Sequence, residues 1–331
     1  MKPAGQVAIE AEMARQVADT QASYTQAGDA ANQMAAALRD SGRLAMLGMG
    51  ASHAVNRAVE PLYRAQGIDA QALPLSEQLS MGVPLAGKVV LLASQSGESA
   101  EVVRWLKTAR AGSVFGMTLD GGSTLARAVP SLVAAGGPEV AFAATRSLTV
   151  TFALHLAVLA RLGLDPAPAL AALALSHADM SLAVTTLAGV TAIVTSGRQM
   201  QGVAEAAALG LCELARLPAF ALEGGQLRHG PMEMLGTDIG VVLFRADEPD
   251  ADLVGGMAAS ARAAGARVIL FDASGGGPVA DVVNVPLARS SGMAAIFALL
   301  PAMQRLMLDF AAARVVDVGT PRRSAKITRV E

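Results

Sequence analysis

From Arg43 onward, short apolar runs alternate along the chain with longer segments in which apolar residues recur every three or four positions. The short runs predict buried strands, and the longer spacing predicts amphipathic helices. Strands that alternate with helices indicate a parallel sheet covered by helices on both faces. In the first half the predicted strands are 44–47, 70–75, 89–93, 114–119 and 132–135, and the predicted helices include 54–66 and 101–111.

The second half repeats this order after a long helical stretch at 143–162, a hinge at Pro166-Ala167-Pro168 and a further helix that ends near Leu187. Its predicted strands are 191–195, 219–221, 239–244, 267–271 and 282–285, with a helix at 203–217. The pattern therefore predicts a duplicated α/β unit. Its predicted segments are an N-terminal helical segment (1–42), a first domain (43–165), a second domain (190–319) and a C-terminal tail (320–331).

Composition narrows the class of protein. The 331 residues are 53% hydrophobic with a mean hydropathy of +0.43, so a membrane span has to be considered. The two most apolar stretches, 293–313 and 148–164, are interrupted by charged or polar residues, and the first residues lack the apolar core of a signal peptide. We expect a soluble cytoplasmic protein that does not bind a membrane.

Charge and cysteine content exclude further classes. A formal net charge of −2 and 3% aromatic residues offer little to attract or stack nucleic acid, so no nucleic-acid partner is expected. One cysteine excludes an intrachain disulfide, and with only four histidines a structural zinc cluster is not expected.

Residues 94–99, with the sequence Ser-Gln-Ser-Gly-Glu-Ser, join a predicted strand to a predicted helix. Such a junction presents free backbone N–H groups at the positive end of a helix dipole, and the serine hydroxyls add donors, so the loop is suited to a phosphate. An ordinary serine N-cap is the alternative, and the local chemistry leaves both open. The sequence Gly50-Ala51-Ser52-His53 follows another strand, and the two strand ends would converge on one cleft.

Two other stretches carry titratable groups. His229 stands beside Gly230-Pro231, which predicts a turn, and its ordinary pKa suits proton transfer or a hydrogen-bonded surface position. Glu213 lies in an apolar helix, where it is either at the solvent edge or buried with a raised pKa. Cys212 is predicted to be a core residue, because it points away from Glu213 by about 100°.

These stretches resemble, in their order, the SIS (sugar isomerase) family. Gly-Ala-Ser-His, Ser-Gln-Ser-Gly-Glu-Ser, Ala-Thr-Arg-Ser, Gly-Gln-Leu-Arg-His-Gly-Pro and a terminal Pro-Arg-Arg-Ser-Ala-Lys are similar to the double-SIS isomerase half of glucosamine-6-phosphate synthase and its stand-alone relatives. The resemblance covers nearly the whole chain. It implies two tandem SIS domains, each a parallel sheet flanked by helices in a flavodoxin-like three-layer sandwich.

The resemblance also implies roles for individual residues. The sugar phosphate would be bound by the serine stretch, with Ser52 nearby, and Ala325 would lie beside the substrate. Glu213, sixteen residues before His229, would move a proton between C1 and C2, and His229 would help open the sugar ring. Lys326 would fold back from the tail over the substrate. The phosphate-binding residues implied are Ser52, Ser94, Gln95, Ser96 and Ser99.

The family's histidine enters the neighbouring subunit's site, so the resemblance implies a homodimer with a composite active site. It implies a phosphosugar aldose–ketose isomerase or deaminase for an amino-sugar 6-phosphate, without a metal or organic cofactor. Alternatives are a fructosamine-6-phosphate deglycase and a non-catalytic phosphosugar sensor.

Three departures from the family bear on that choice. No glutaminase domain precedes the isomerase region, so glutamine-dependent synthesis is not expected. Gly210 stands where the synthase has a lysine, which leaves room for a larger group near C1 or C2 of the sugar. Ala144-Thr145-Arg146 stands where the family has Ser-Thr-Lys.

Overall fold

The computed structural model describes residues 2–108, 112–173 and 179–329, and the chain divides into two compact units. The first unit comprises Ala8–Pro166 and Pro321–Glu331, and the second comprises Met1–Val7 and Ala167–Thr320. The C-terminal tail thus belongs to the first unit. His177 and the predicted helix end at 109–111 lie outside the described residues.

A five-stranded parallel sheet forms the centre of the first unit, with its strands in the order β2-β1-β3-β4-β5. Its elements follow one another as the hydrophobic pattern predicts. They are α1 (Ala4–Gln26), α2 (Gly28–Ser41), β1 (Arg43–Gly48), α3 (Gly50–Ala65), β2 (Asp69–Pro74), α4 (Leu75–Met81), β3 (Val89–Ala93), α5 (Ala100–Thr108), β4 (Ser113–Thr118), α6 (Thr124–Ala128), β5 (Ser131–Val133) and α7 (Arg146–Leu162).

The second unit has the same topology, because its parallel strands lie in the order β10-β9-β8-β6-β7. In each sheet the unit's second strand lies at one edge beside the first, and the remaining strands follow on the other side. The elements are α8 (Ala167–Ala172), α9 (Ser181–Thr186), β6 (Ala192–Gly197), α10 (Gln201–Ala215), β7 (Ala219–Ala221), α11 (Gly224–Arg228), a 3₁₀-helix (Pro231–Met234), β8 (Ile239–Ala246), α12 (Ala251–Ala263), β9 (Arg267–Ala273), β10 (Val283–Pro286) and α13 (Gly292–Arg314). The predicted duplicated, flavodoxin-like α/β fold is confirmed.

Burial explains why the central strands are continuous apolar runs. All five residues of β3 are buried, as expected for a parallel strand with helices on both faces. Leu92 of β3 packs with Val102 and Trp105 of α5. In the second unit, Leu243 of β8 packs with Met257 of α12. The same alternation of strand and helix therefore builds a separate core in each unit.

Helix α13 has the length and hydropathy of a membrane span, but 83% of its most apolar window is buried inside the protein. A core helix of a globular domain passes the same test of length and composition. Elsewhere the predicted element boundaries shift by a few residues. The predicted helix at 54–66 begins four residues earlier, at Gly50, and β8 continues two residues beyond its predicted end, through Arg245 to Ala246.

Candidate functional site

The ends of β1 and β3 lie side by side in the first unit, because Gly48 pairs with Ala93 in the parallel register. The strand order reverses here, and this is the point at which open α/β sheets bind ligands. Gly48 lets helix α3 approach closely: a Cβ at this position would lie 3.2 Å from both the Ala93 carbonyl oxygen and the His53 nitrogen. The two predicted loops therefore meet at one edge of the sheet.

The serine loop, residues 94–99, is folded by its own hydroxyl groups. Ser94 Oγ accepts the N–H of Gly97 at 3.1 Å, and Ser96 Oγ accepts the N–H of Glu98 at 3.2 Å. Both hydroxyls act as acceptors toward the backbone, so each retains its O–H to donate to a ligand. Gly97 has φ of +64°, and a Cβ there would lie 2.2 Å from Ser123 Oγ, so no other residue fits.

The loop also offers backbone donors. Within the part of the chain that the structure describes, the N–H groups of Gln95, Ser96 and Ser99 donate to no acceptor. They precede the first turn of α5, where the helix dipole favours negative charge. The buried Gln95 Nε2 likewise lacks a partner among the described residues. This set of unpaired donors has the chemistry of a phosphate site.

Glu98 belongs to the same motif but has a structural role. Its carboxylate accepts the N–H of Thr124 at 2.5 Å and the hydroxyl of Thr124 at 3.0 Å. These bonds fix the serine loop to the first residue of α6. The carboxylate is thus engaged by the protein, and its charge is offset by donors of the neighbouring loop.

Ser52 lies at the adjacent strand end, in the first turn of α3, and is 5% exposed. Its N–H donates to the Met49 carbonyl at 3.1 Å. The neighbouring His53 is mostly buried, and burial together with Arg57 lowers its pKa. His53 is therefore a neutral side chain at physiological pH.

The C-terminal tail docks on the first unit at the same edge. The N–H of Ala100, the first residue of α5, donates to the Thr328 carbonyl at 3.0 Å. Two residues earlier, Lys326 Nζ donates to Glu139 Oε2 at 3.0 Å and to the Phe142 carbonyl at 3.3 Å. Ala325 is exposed beside it. The tail is ordered next to the serine loop rather than frayed.

Glu139, which sequence reasoning missed, is the residue that holds Lys326. Its carboxylate also accepts the N–H of Thr145, the N–H of Ser147 and the Ser147 hydroxyl, the last at 2.6 Å. The Glu139 side chain is 1% exposed, whereas that of Lys326 is 31% exposed. In the sequence, Glu139 stands six residues before Thr145 and is thus near enough to accept hydrogen bonds from that segment. Only the fold shows that Glu139 also binds Lys326 of the tail.

Arg146 belongs to the segment Ala144-Thr145-Arg146, which stands where the family has Ser-Thr-Lys. It is fully buried, and its Nε donates to Glu12 at 2.6 Å while Asp19 lies 3.3 Å from its Nη1. Its remaining nitrogens donate to the carbonyls of Ala135 and Gly137. Arg146 therefore ties helix α1 to the loop after β5, a structural role.

Glu213 and Gly210 lie on α10 in the second unit. Glu213 is half-buried, three residues after Gly210 and on a similar face of the helix. A Cβ at Gly210 would lie 2.6 Å from Met307 Cε and 2.8 Å from its Sδ. Met307 thus occupies the space beside the position where the synthase has a lysine.

Cys212 contradicts the prediction of a core residue. It is exposed, and its Sγ donates to the Ala219 carbonyl at 3.1 Å. Helical geometry correctly separated it from Glu213, but α10 packs on α13 and on the sheet through other faces, which leaves Cys212 outside.

His229 follows the short helix α11, which Glu223 caps by accepting the N–H groups of Gly225 and Gln226. The imidazole is exposed and bonds to none of the described residues. Gly230, with φ of +110°, ends the helical turn after it. The predicted turn position of His229 is confirmed.

Glu213 and His229 lie on opposite faces of the second sheet, because α10 packs on α13 whereas Leu227 of α11 packs with Val254 and Met257 of α12. Helix α10 runs back from the carboxyl end of β6, and twelve residues at about 1.5 Å each place Glu213 about 18 Å from the start of that helix. His229 follows the carboxyl end of β7. The structure therefore brings Ser52, the serine loop and Lys326 together in the first unit and keeps Glu213 and His229 apart within the second.

Comparisons with known proteins agree with this fold. No family model matches the chain. A glutamine–fructose-6-phosphate aminotransferase (isomerizing) of Aeropyrum pernix is 30% identical over 324 residues, which cover 88% of this chain and 52% of the relative. The chain thus spans about half the length of the curated relatives it matches.

Two solved structures share the fold. The C-terminal domain of glucosamine-fructose-6-phosphate aminotransferase from Francisella tularensis superposes with a TM-score of 0.82 at 16% identity, covering 95% of this chain and 98% of that one. Tagatose-6-phosphate ketose/aldose isomerase from Escherichia coli gives a TM-score of 0.78 at 21% identity, covering 97% and 98%. The sequence relationship makes this chain a relative of the isomerase region of the glutamine–fructose-6-phosphate aminotransferases, and the shared fold confirms the predicted tandem SIS-type architecture.

Proposed function

We propose that this chain is a cytoplasmic phosphosugar aldose–ketose isomerase or deaminase that acts on an amino-sugar 6-phosphate. The serine loop carries the proposal: three unpaired N–H groups and free hydroxyl protons surround the positive end of α5. A phosphate bound there is remote from the reacting carbons, so its binding energy would orient C1 and C2 for proton transfer.

Glu213 is the proposed base that moves a proton between C1 and C2 through an enediol or enolamine. Such a relay typically contributes 10²–10⁴-fold to the rate. The half-buried position of Glu213 supports this role, because a carboxylate there is accessible yet partly withdrawn from water. The role itself is inferred from the resemblance to the family.

His229 is the proposed ring-opening group, and it would act in the site of a second subunit. Glu213 and His229 lie on opposite faces of one sheet, and this supports a composite site that a second chain completes. The imidazole is exposed and has no bonding partner among the described residues, so it is available to a neighbouring chain. We therefore propose a homodimer.

Lys326 is proposed to place a cation near the oxygen on which charge develops. Glu139 and the Phe142 carbonyl would hold the ammonium group in a fixed position before substrate binds. The cation would then need little reorganisation as the reaction proceeds, which is the condition for effective electrostatic stabilisation.

The first test is incubation of the pure protein with glucosamine 6-phosphate, with assays for ammonia and fructose 6-phosphate. Both products together are expected of a deaminase, and fructosamine 6-phosphate without ammonia is expected of an isomerase. Bound phosphosugar without turnover of any amino-sugar phosphate would contradict an enzyme and favour a sensor.

Subunit mixing tests the composite site. Glu213→Gln and His229→Asn are each expected to be inactive alone, and random reassembly of the two should restore about one quarter of the wild-type activity, because half of the dimers would regain one intact site. No recovery after verified subunit exchange would place both residues in the same chain's site.

A deglycase for N-substituted fructosamine 6-phosphates is the second candidate, because Gly210 supplies no cation where the synthase has a lysine. Met307 fills the space beside Gly210, contrary to the room expected there, so a large N-substituent would have to lie elsewhere in the site. Parallel kinetics on glucosamine 6-phosphate and a fructosamine 6-phosphate with a bulky N-substituent decide the matter. A higher kcat/KM for the substituted sugar would select the deglycase.

A further inference from the structure

A groove of about 460 Å³ opens at the amino edge of the second sheet, where β9 and β10 begin. Its polar lining consists of two arginines, two threonines and one aspartate: Arg262, Arg267, Thr186, Thr237 and Asp281. Its volume falls within the range of about 300–1,000 Å³ that small-molecule sites occupy. Sheets of this kind bind substrates at the carboxyl ends of their strands, whereas this groove lies at the amino ends.

Both arginines are held in place by neutral acceptors. Arg262 Nε donates to the backbone carbonyl of Asp281 at 2.9 Å. Arg267 Nε donates to the Thr237 carbonyl at 2.8 Å, and its Nη1 donates to the carbonyls of Thr186 and Ala188. Among the described residues, neither guanidinium forms an ion pair with a carboxylate. Two positive charges are therefore fixed at the groove without being neutralised.

Among the described residues that line the groove, Asp281 contributes the one carboxylate. Its φ of +58° is unusual for a residue other than glycine, and such backbone strain clusters at ligand sites. This conformation turns the Asp281 carbonyl, rather than its carboxylate, to Arg262. With two guanidinium groups against one carboxylate, the formal charge of the lining favours an anion.

We propose that this groove is a second ligand site, separate from the serine loop, that binds a small phosphorylated metabolite. Guanidinium groups match phosphate oxygens in geometry as well as in charge, and Arg262 and Arg267 each keep N–H groups beyond those donated to the backbone. Thr186 and Thr237 add hydroxyl donors at the rim. A ligand here would act as an effector, because the lining of the groove includes none of the residues proposed for catalysis or for binding the sugar phosphate.

The experiment uses inorganic pyrophosphate as the probe and isothermal calorimetry at low salt. The full chain carrying Ser96→Ala and Ser99→Ala is titrated, so that binding at the serine loop is weakened. One remaining site per chain is expected. Adding Arg262→Gln should weaken it at least tenfold, while Asp281→Asn should strengthen it about threefold, because the substitution removes a repelling carboxylate.

Arg289→Gln is the matched control, since it removes an exposed arginine of the same unit that is ion-paired with Asp247. It should leave pyrophosphate affinity unchanged. No pyrophosphate binding in the serine variant would overturn the proposal, and so would unchanged affinity in both Arg262→Gln and Asp281→Asn. Arg262 is exposed, so its replacement should not prevent folding. The proposed isomerase activity is judged separately, by turnover of the wild-type protein.

Discussion

The two sheets share one strand order, but they differ in the loops that follow the carboxyl ends of their strands. In the first unit, the loop after β3 consists of small hydroxyl residues whose donors are largely unpaired. In the second unit, the corresponding loop after β8 contains Asp247, Glu248 and Asp250. Asp247 is paired with Arg289 at 2.8 Å, and Glu248 accepts the N–H of Gly292 at the start of α13 at 2.8 Å.

The difference is one of charge and of available donors. In the acidic loop, carboxylates already accept hydrogen bonds from the nearby donors, so these donors are not free to bind a phosphate. The negative charge of the loop would also repel a phosphate directly. Arg245, at the end of β8, is buried, lies 3.4 Å from Asp272 and donates to the Gly277 carbonyl, so its charge is already offset. Duplication of the fold did not duplicate the proposed phosphate site, because a few loop residues rather than the sheet determine what binds.

The largest expected effect concerns the unit without a phosphate loop. If the second unit supplies the base, Glu213→Gln should reduce kcat by 10²–10⁴-fold while phosphosugar binding persists. Stopped assays of kcat, with calorimetry for binding, measure both quantities. Glu205→Gln, on the same helix, is the control, and an equal loss in that variant would mean that the effect is structural.

The second largest effect is a loss of stability in acid, and we expect it in the first unit. His155 of α7 is fully buried against the Tyr63 hydroxyl, and burial lowers its pKa to about 3. Between its ordinary value of 6.5 and 3, the unfolded chain binds a proton that the folded chain does not. Stability is therefore fully present above about pH 6.5 and falls as the pH decreases, by up to about 1.4 kcal/mol per pH unit.

Urea unfolding followed by the fluorescence of Trp105, the single tryptophan, reports this change in the first unit. The double variant His155→Leu/Tyr63→Phe removes the titrating ring and its hydroxyl partner together. It should lack this acid-dependent loss. An equal loss in the variant would assign the effect to other groups.

The serine loop should show a smaller effect on binding. Ser96→Ala removes a donor to the phosphate and is expected to weaken phosphosugar affinity by about 1 kcal/mol, or roughly fivefold. Ser274→Ala alters a serine beyond the end of β9 that bonds to Asp272 in its own unit, and it should not change affinity. Calorimetry with both variants tests whether the phosphosugar binds at the carboxyl end of the first sheet and not at that of the second. Equal losses of affinity in the two variants would refute this difference.

The smallest effect is expected at Glu248 in the acidic loop. Burial raises its pKa, and the charges of Asp250 and Asp247 act in the same direction, against the N–H of Gly292. At pH 7 the ionised form is thus disfavoured in the fold. Glu248→Gln should stabilise the protein by about a few tenths of a kcal/mol, since the group is half-exposed and screened. Differential calorimetry should show this gain disappear below the ordinary pKa of 4.5, and a gain that persisted at pH 4 would contradict this account.

Much of the fold was predictable because it is encoded locally. The continuous apolar run of β3 and the spacing of Val102 and Trp105 in α5 specify a buried strand followed by an amphipathic helix. The serine loop was identified for the same reason, since its chemistry is contained in six consecutive residues. Elements of this kind need no knowledge of distant contacts.

Cys212 and Arg146 show where such reasoning fails. The exposure of Cys212 depends on which faces of α10 meet α13 and the sheet, and its sequence neighbours do not reveal this. The burial of Arg146 depends on Glu12 and Asp19, more than a hundred residues away. Long-range partners of this kind are chosen by packing rather than by local pattern.

The sequence by itself determined the α/β class, the duplication and the serine-rich loop between a strand and a helix, because hydrophobic period and turn chemistry act over a few residues. The tertiary structure decided that Lys326 is held by Glu139, that Met307 fills the space beside Gly210, and that Glu213 and His229 lie on opposite faces of one sheet. Each of these depends on how distant segments pack, and the free energy of packing depends on three-dimensional neighbours that no local pattern specifies.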